Sequence, residues 1–163
     1  MYLQPIITIC GSLKDWDNGL IQANAMLVVK NIIGLPSGFS MKYPEKFPVV
    51  ADYVSKETEK MKKIFDSLHF QKIMLSNGIW VTNIGDYIGD STKREILFAD
   101  KIGKTVFTFE KCSFCEENDI EYYIVPLNVE SNFPDWFYNQ INEVIDCDTI
   151  EVYEEFCGKV DGK

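Results

Sequence analysis

Apolar residues recur along this chain in two periods, and the alternation between them predicts the architecture. Residues 5–10, Pro-Ile-Ile-Thr-Ile-Cys, form a short β-branched run that suits a strand buried on both faces. After Gly11-Ser12 the period changes. Trp16, Leu20, Ala23 and Leu27 recur at intervals of three and four and predict a helix over 14–30. Residues 32–35 predict a second strand, ended by Pro36-Ser37-Gly38. Residues 37–54 hold Pro44, Pro48 and several aromatics and predict a long loop, read equally as a lid or as a surface excursion. A helix follows from Ser55, a suitable N-cap, to about 75, with Met61, Ile64, Phe65 and Leu68 as its inward stripe.

The second half continues the alternation. Residues 78–83 predict a strand and 91–102 a helix, with Gly103 in the position that ends helices. Strands are expected at 105–109 and 120–127, then a helix at 133–145; the last dozen residues give no clear period. The order β-α-β-α-β-α-β-β-α implies an α/β fold of the flavodoxin-like or Rossmann-like kind. Its mainly parallel sheet would have about five strands, with helices on both faces. At 163 residues the chain fits a single domain. Within it, 1–128 reads as the core and 129–163 as an acidic helical extension.

Charge narrows the partners. The formal net charge is −9, and residues 130–163 carry nine acids against two lysines. With no basic stripe, nucleic acid polymers and anionic membranes are poor partners. A small anion remains a suitable ligand, because backbone dipoles bind it without net positive charge. No segment reads as a membrane span or a signal peptide, so a cytoplasmic location is expected. Five cysteines without a secretory signal argue against a disulfide scaffold. Cys112 and Cys115 form a C-x-x-C pair with two readings. One is half of a zinc site completed by Cys147 and Cys157; the other, favoured here, is two thiols in a surface loop.

In parallel sheets ligands bind at the carboxyl ends of the strands, near the point where strand order reverses. That rule selects Gly11-Ser12, the loop after Leu35, and above all residues 83–95, Asn-Ile-Gly-Asp-Tyr-Ile-Gly-Asp-Ser-Thr-Lys-Arg-Glu. Gly85 and Gly89 allow close backbone approach. Ser91 and Thr92 open a helix whose free N–H groups suit a phosphate, a carboxylate or sugar oxygens. Glu95 lies one turn further on. Thr92-x-x-Glu95 also has the form of a capping box, the favoured reading from the residues alone, and Asp90 and Ser91 read most simply as N-cap residues. His69, the single histidine, reads as a helix-face contact more readily than as an acid or base. Tyr87 suits stacking on a base and packing the loop equally.

Several of these segments resemble the nucleoside 2-deoxyribosyltransferase-like superfamily. They are Cys10-Gly11-Ser12, His69 with Lys72-Ile73, Asn83-x-Gly85-x-Tyr87-Ile88-Gly89-x-Ser91-Thr92-x-x-Glu95-Ile96, Ala99 and Gly103-Lys104. Within that superfamily they are most similar to a subgroup of small bacterial and phage proteins. The resemblance covers about residues 5–110 and is most specific at 83–104. It implies a flavodoxin-like sheet and cleavage or transfer at the N-glycosidic bond of a nucleoside or nucleotide. In it Glu95 would be the nucleophile on the anomeric carbon. It further implies substrate contacts from Gly11, Ser12, His69, Gly85, Asp86, Tyr87, Gly89, Ser91 and Thr92, no cofactor and no metal, and a site often completed in a homodimer. The family places an aspartate about where Met74 stands and a second acid near Asn77. Without them, proton delivery to the leaving base falls to Asp90 or Asp86, help typically worth ~10²–10⁴-fold. That departure keeps a second reading open, a nucleotide-binding or sensing protein with degenerate chemistry. A purely structural protein using the aromatic tail as an interface, and a flavin protein, rank lower; Gly11-Ser12-Leu13-Lys14 lacks the hydroxyl-rich loop that would wrap a flavin phosphate.

Overall fold

The computed structural model describes residues 4–12, 19, 21–36, 58–128, 130, 132–139 and 147–158. The 37–54 loop, Trp16, Leu20, Ser55 and residues 140–145 of the expected tail helix lie outside them. Five parallel strands form one sheet: β1 (Ile6–Cys10), β2 (Ile33–Pro36), β3 (Gly78–Val81), β4 (Thr105–Thr108) and β5 (Tyr123–Ile124). Their order, β2-β1-β3-β4-β5, is the flavodoxin-like arrangement, so the switch point falls between β1 and β3. Helices α1 (Ile21–Val29), α2 (Thr58–Leu75), α3 (Asp90–Lys101) and α4 (Ser113–Glu117) connect consecutive strands, and α5 (Cys147–Cys157) follows β5.

Strand parity divides the core in two. Ile7, Ile9, Trp80 and Phe107 face one side and meet Ala23, Met26 and Leu27 of α1, which recur at three and four residues. Phe133 and Phe137 close this side, their rings 4.6 Å and 5.2 Å from that of Phe107 in edge-on contacts. Burying each such ring is worth roughly 1.5–3 kcal/mol. The alternate positions Cys10, Ile79, Val81 and Val106 face the other side and meet Phe70, Ile73, Ile96, Phe98, Ala99 and Tyr153. With both faces covered, the strands read as continuous apolar runs, as the sequence implied.

Helix α3 ends as expected. Gly103 has φ +71°, its N–H bonds to the Asp100 carbonyl, and the Lys104 N–H reaches back to Ala99. This pair of bonds is a Schellman close, and it drops the chain directly into β4.

Three local expectations need correction. The inward face of α2 is His69, Phe70 and Ile73; Ile64 and Leu68 of the expected stripe are 40% and 49% exposed. The cysteine segment contains α4, which turns the expected β-β connection into another crossover. The last strand is two residues long rather than eight, and in the tail a 3₁₀ turn (Asp135–Asn139) stands at the start of the expected helix.

Candidate active site at the carboxyl ends of β1 and β3

Both strands of the switch point end in polar or reactive residues. Cys10 is the last residue of β1, and Thr82 follows β3, its N–H bonded to the Cys10 carbonyl. Gly11 lies so close to Thr82 that a Cβ there would stand 1.8 Å from the Thr82 hydroxyl oxygen, so this crossing needs glycine. Helix α2 runs antiparallel to the strands and brings His69 over the end of β1. Helix α3 starts beside β3 and brings Glu95 to the same point. His69 Nε2 lies 3.5 Å from Cys10 Sγ and 3.5 Å from Glu95 Oε2. All three residues are buried, at 0%, 4% and 7% exposure for Cys10, His69 and Glu95.

Glu95 therefore does not close a capping box. The N-cap of α3 is Gly89, no side chain bonds the helix start, and Asp90, Ser91 and Thr92 are already helical. The first N–H groups of α3 are left without the side-chain acceptor that caps most helices. Burial, then the charge of Glu95 and a hydrogen bond to its carboxylate, push the Cys10 thiol well above its ordinary pKa. Cys10 is thus a proton-bearing thiol, its Sγ 3.5 Å from His69 Nε2. Glu95 Oε2, His69 Nδ1 and the Thr82 hydroxyl are buried with no hydrogen-bond partner. Orphaned buried polar atoms cost about 1–3 kcal/mol each, and native structures hold few of them.

The residues expected to line the site divide into two groups. His69 and Glu95 meet, and Gly11 and Ser12 follow directly after Cys10. Gly89, Ser91 and Thr92 form the open start of α3. Gly85, Asp86 and Tyr87 lie on an exposed turn, Tyr87 51% exposed, held to the chain after β4. The Gly85 N–H donates to Glu110, and Asp86 accepts from the Ser113 N–H. Hydrogen bonds from Ser113 hold the Asp86 carboxyl below its ordinary pKa, so it is a poor proton donor. The Asp90 side chain projects fully into solvent, 3.8 Å from Lys93.

The two positions where acids were expected sit at the opposite end of the sheet. The Asn77 N–H donates to the Ile6 carbonyl and its Oδ1 accepts from the Ile6 N–H, at the amino end of β1. Cys10 is four residues further along β1, ~13 Å away at strand spacing. Met74 packs into the core more than a helical turn below His69. Neither position reaches the Glu95 cluster.

Sequence reasoning missed Cys10 and Thr82 as members of the site. Parity was the available signal: Cys10 ends β1 on the face opposite Ile7 and Ile9, beside the switch point. It also misplaced the C-x-x-C pair. Cys112 and Cys115 are buried rather than on a surface loop, with sulfur atoms 2.6 Å apart. Among the described residues they gather no third metal ligand; the one such cluster of three is Cys10, His69 and Glu95.

No protein-family model, no curated protein and no solved structure matches this chain.

Proposed function

We propose that the protein cleaves or transfers the N-glycosidic bond of a small nucleoside or nucleotide, with Glu95 as nucleophile. One observation carries the reading: the Glu95 carboxylate is turned away from its own helix start and held at the strand ends, beside a histidine. An ester to the anomeric carbon would form on Glu95, and water or an acceptor base would resolve it. The free N–H groups of residues 90–92 would hold the sugar or its phosphate, since helix N-termini favour anions. His69 stands where it can exchange a proton with the Glu95 side. The resemblance at residues 83–104 supports the same assignment. No helix among the described residues is long and apolar enough to cross a membrane.

The test is release of free base from a panel of ribo- and deoxyribonucleosides and their monophosphates, repeated with Glu95→Ala. Release that survives the substitution removes Glu95 from the role. The second reading, a nucleotide-binding protein, is favoured by the solvent-facing position of Asp90 and the engaged carboxyl of Asp86, which leave no evident acid for the base. Thermal stabilisation by a nucleotide without base release would select it. A homodimer, which the resemblance implies, would use the exposed Ile21, Val28 and Val29 of α1. Replacing Val28 and Val29 with lysine is then expected to give a monomer by light scattering.

A further inference from the structure

Cys10, His69 and Glu95 invite comparison with a nucleophile–base–orienter triad, but their geometry is different. In a relay the thiol and the carboxylate bond opposite nitrogens of the imidazole, so that one end takes a proton while the other is steadied. Here both lie 3.5 Å from the same nitrogen, Nε2, and Nδ1 has no partner. A thiol sulfur, an imidazole nitrogen and a carboxylate oxygen converge on one point, all within 4.8 Å of one another.

Such convergence is what a small cation requires. A tetrahedral zinc ion takes sulfur at about 2.3 Å and nitrogen or oxygen at about 2.0–2.2 Å, which spaces its donors roughly 3.3–3.6 Å apart. The two 3.5 Å separations at Nε2 fall in that range. The donor set is mixed and borderline-soft, which selects zinc, cobalt(II) or iron(II) over magnesium or calcium. The Glu95 oxygen that faces Nε2 is buried and without a hydrogen bond, which a cation would remedy.

We propose that Cys10, His69 and Glu95 form a three-ligand site for a divalent transition-metal ion of the zinc class. Three protein ligands leave a fourth position for water or a substrate atom, the pattern of reactive rather than structural zinc sites. Binding exchanges the thiol proton for the metal: the S–H bond breaks, an S–metal bond forms, and one proton leaves to solvent. This site does not rest on the nucleoside reading. Glu95 cannot hold a cation and attack an anomeric carbon at once, so the metal-loaded protein is a resting form of any Glu95-dependent enzyme.

The experiment is a cobalt(II) titration of the full-length, chelator-stripped, reduced protein, with no substrate present. The expected result is one equivalent bound, with a thiolate-to-cobalt charge-transfer band and the intense visible bands of a four-coordinate ion, both abolished by added zinc. Cys10→Ser loses the charge-transfer band, and Cys112→Ser/Cys115→Ser keeps it. Glu95→Gln, nearly the same size and shape, retains the fold by circular dichroism and loses the one-equivalent saturation. A wild-type protein without the band, a band that persists in Cys10→Ser, or a band lost in the Cys112/Cys115 variant would each overturn the proposal. Because base release is not measured, an inactive protein leaves this result standing, and an active one does not supply it.

Discussion

The two ends of β1 and β3 are built on opposite principles. At the amino end, Asn77 and the Ile6 backbone satisfy one another through two hydrogen bonds of 2.8 Å. At the carboxyl end, the Thr82 hydroxyl, His69 Nδ1 and Glu95 Oε2 are buried without partners, and a thiol, an imidazole and a carboxylate converge within 4.8 Å of one another. The same two strands anchor both ends, so the difference lies in what each end is for. The amino end holds the sheet together. The carboxyl end gives up stability to keep reactive groups unengaged, as functional sites commonly do.

The contrast can be broken most forcefully at Glu95. Under the proposed chemistry, Glu95→Gln lowers kcat/KM for base release by ~10⁴-fold or more, by analogy with other lost nucleophiles. The same change is expected to leave the Tm unchanged or raised, because it removes a buried, poorly paired carboxylate. A clear fall in Tm would mean that Glu95 is part of the framework after all. Asn77→Ala is the mirror experiment. It strands the partly buried Ile6 N–H and should cost about 1 kcal/mol in denaturant unfolding, with the kcat/KM of the folded protein unaltered. Asn77→Asp should bring no gain in rate, since position 77 is a strand's length from the site; a gain would refute that separation.

Smaller effects sharpen the picture. Gly11→Ala forces its new methyl against the Thr82 hydroxyl and should destabilise by about 1–3 kcal/mol. Thr82→Ala in the same chain should return part of that loss, and the double-mutant cycle reads the coupling. The smallest effect is on pH. The folded protein holds the Cys10 proton more tightly than the unfolded chain does. That contribution is full below about pH 9, the unfolded thiol's range, and is lost as pH rises toward the raised folded value. Thermal unfolding followed from pH 8 to 10.5 should therefore show an alkaline decline that is shallower in Cys10→Ser.

Much of the fold was legible because both periods are clean where packing alone decides. Residues 5–10 and 91–102 became β1 and α3 within a residue or so of their expected bounds. Helix α2 shows the limit. Its apolar residues Met61, Ile64, Phe65 and Leu68 suggested a buried stripe, but the helix is turned by about a third of a revolution at ~100° per residue. The inward arc carries Asp66 and His69 beside Ile73. Asp66 meets Arg94, and His69 meets Cys10 and Glu95. A helix that presents polar groups to a site inverts the pattern by which its buried face is recognised. The candidate site failed in the same place. Thr92-x-x-Glu95 has the letters of a capping box, yet the helix begins at Asp90, two residues before Thr92, so Thr92 is inside the helix and cannot cap it. The loop at 84–86 was recognised as special, but what holds it is non-local: Asn83 accepts from the Phe109 and Glu110 N–H groups and donates to the Glu110 and Lys111 carbonyls. No period in the sequence encodes a bond between positions twenty-six residues apart.

That the chain has a single histidine, and that it stands between the thiol and the carboxylate, makes the protein its own spectrometer. Selective nitrogen-15 labelling of histidine gives a spectrum with one imidazole and no background. Its two ring resonances separate the neutral tautomers, the imidazolium and a metal-bound ring, so every state of the cluster can be followed in the intact protein through one pair of signals.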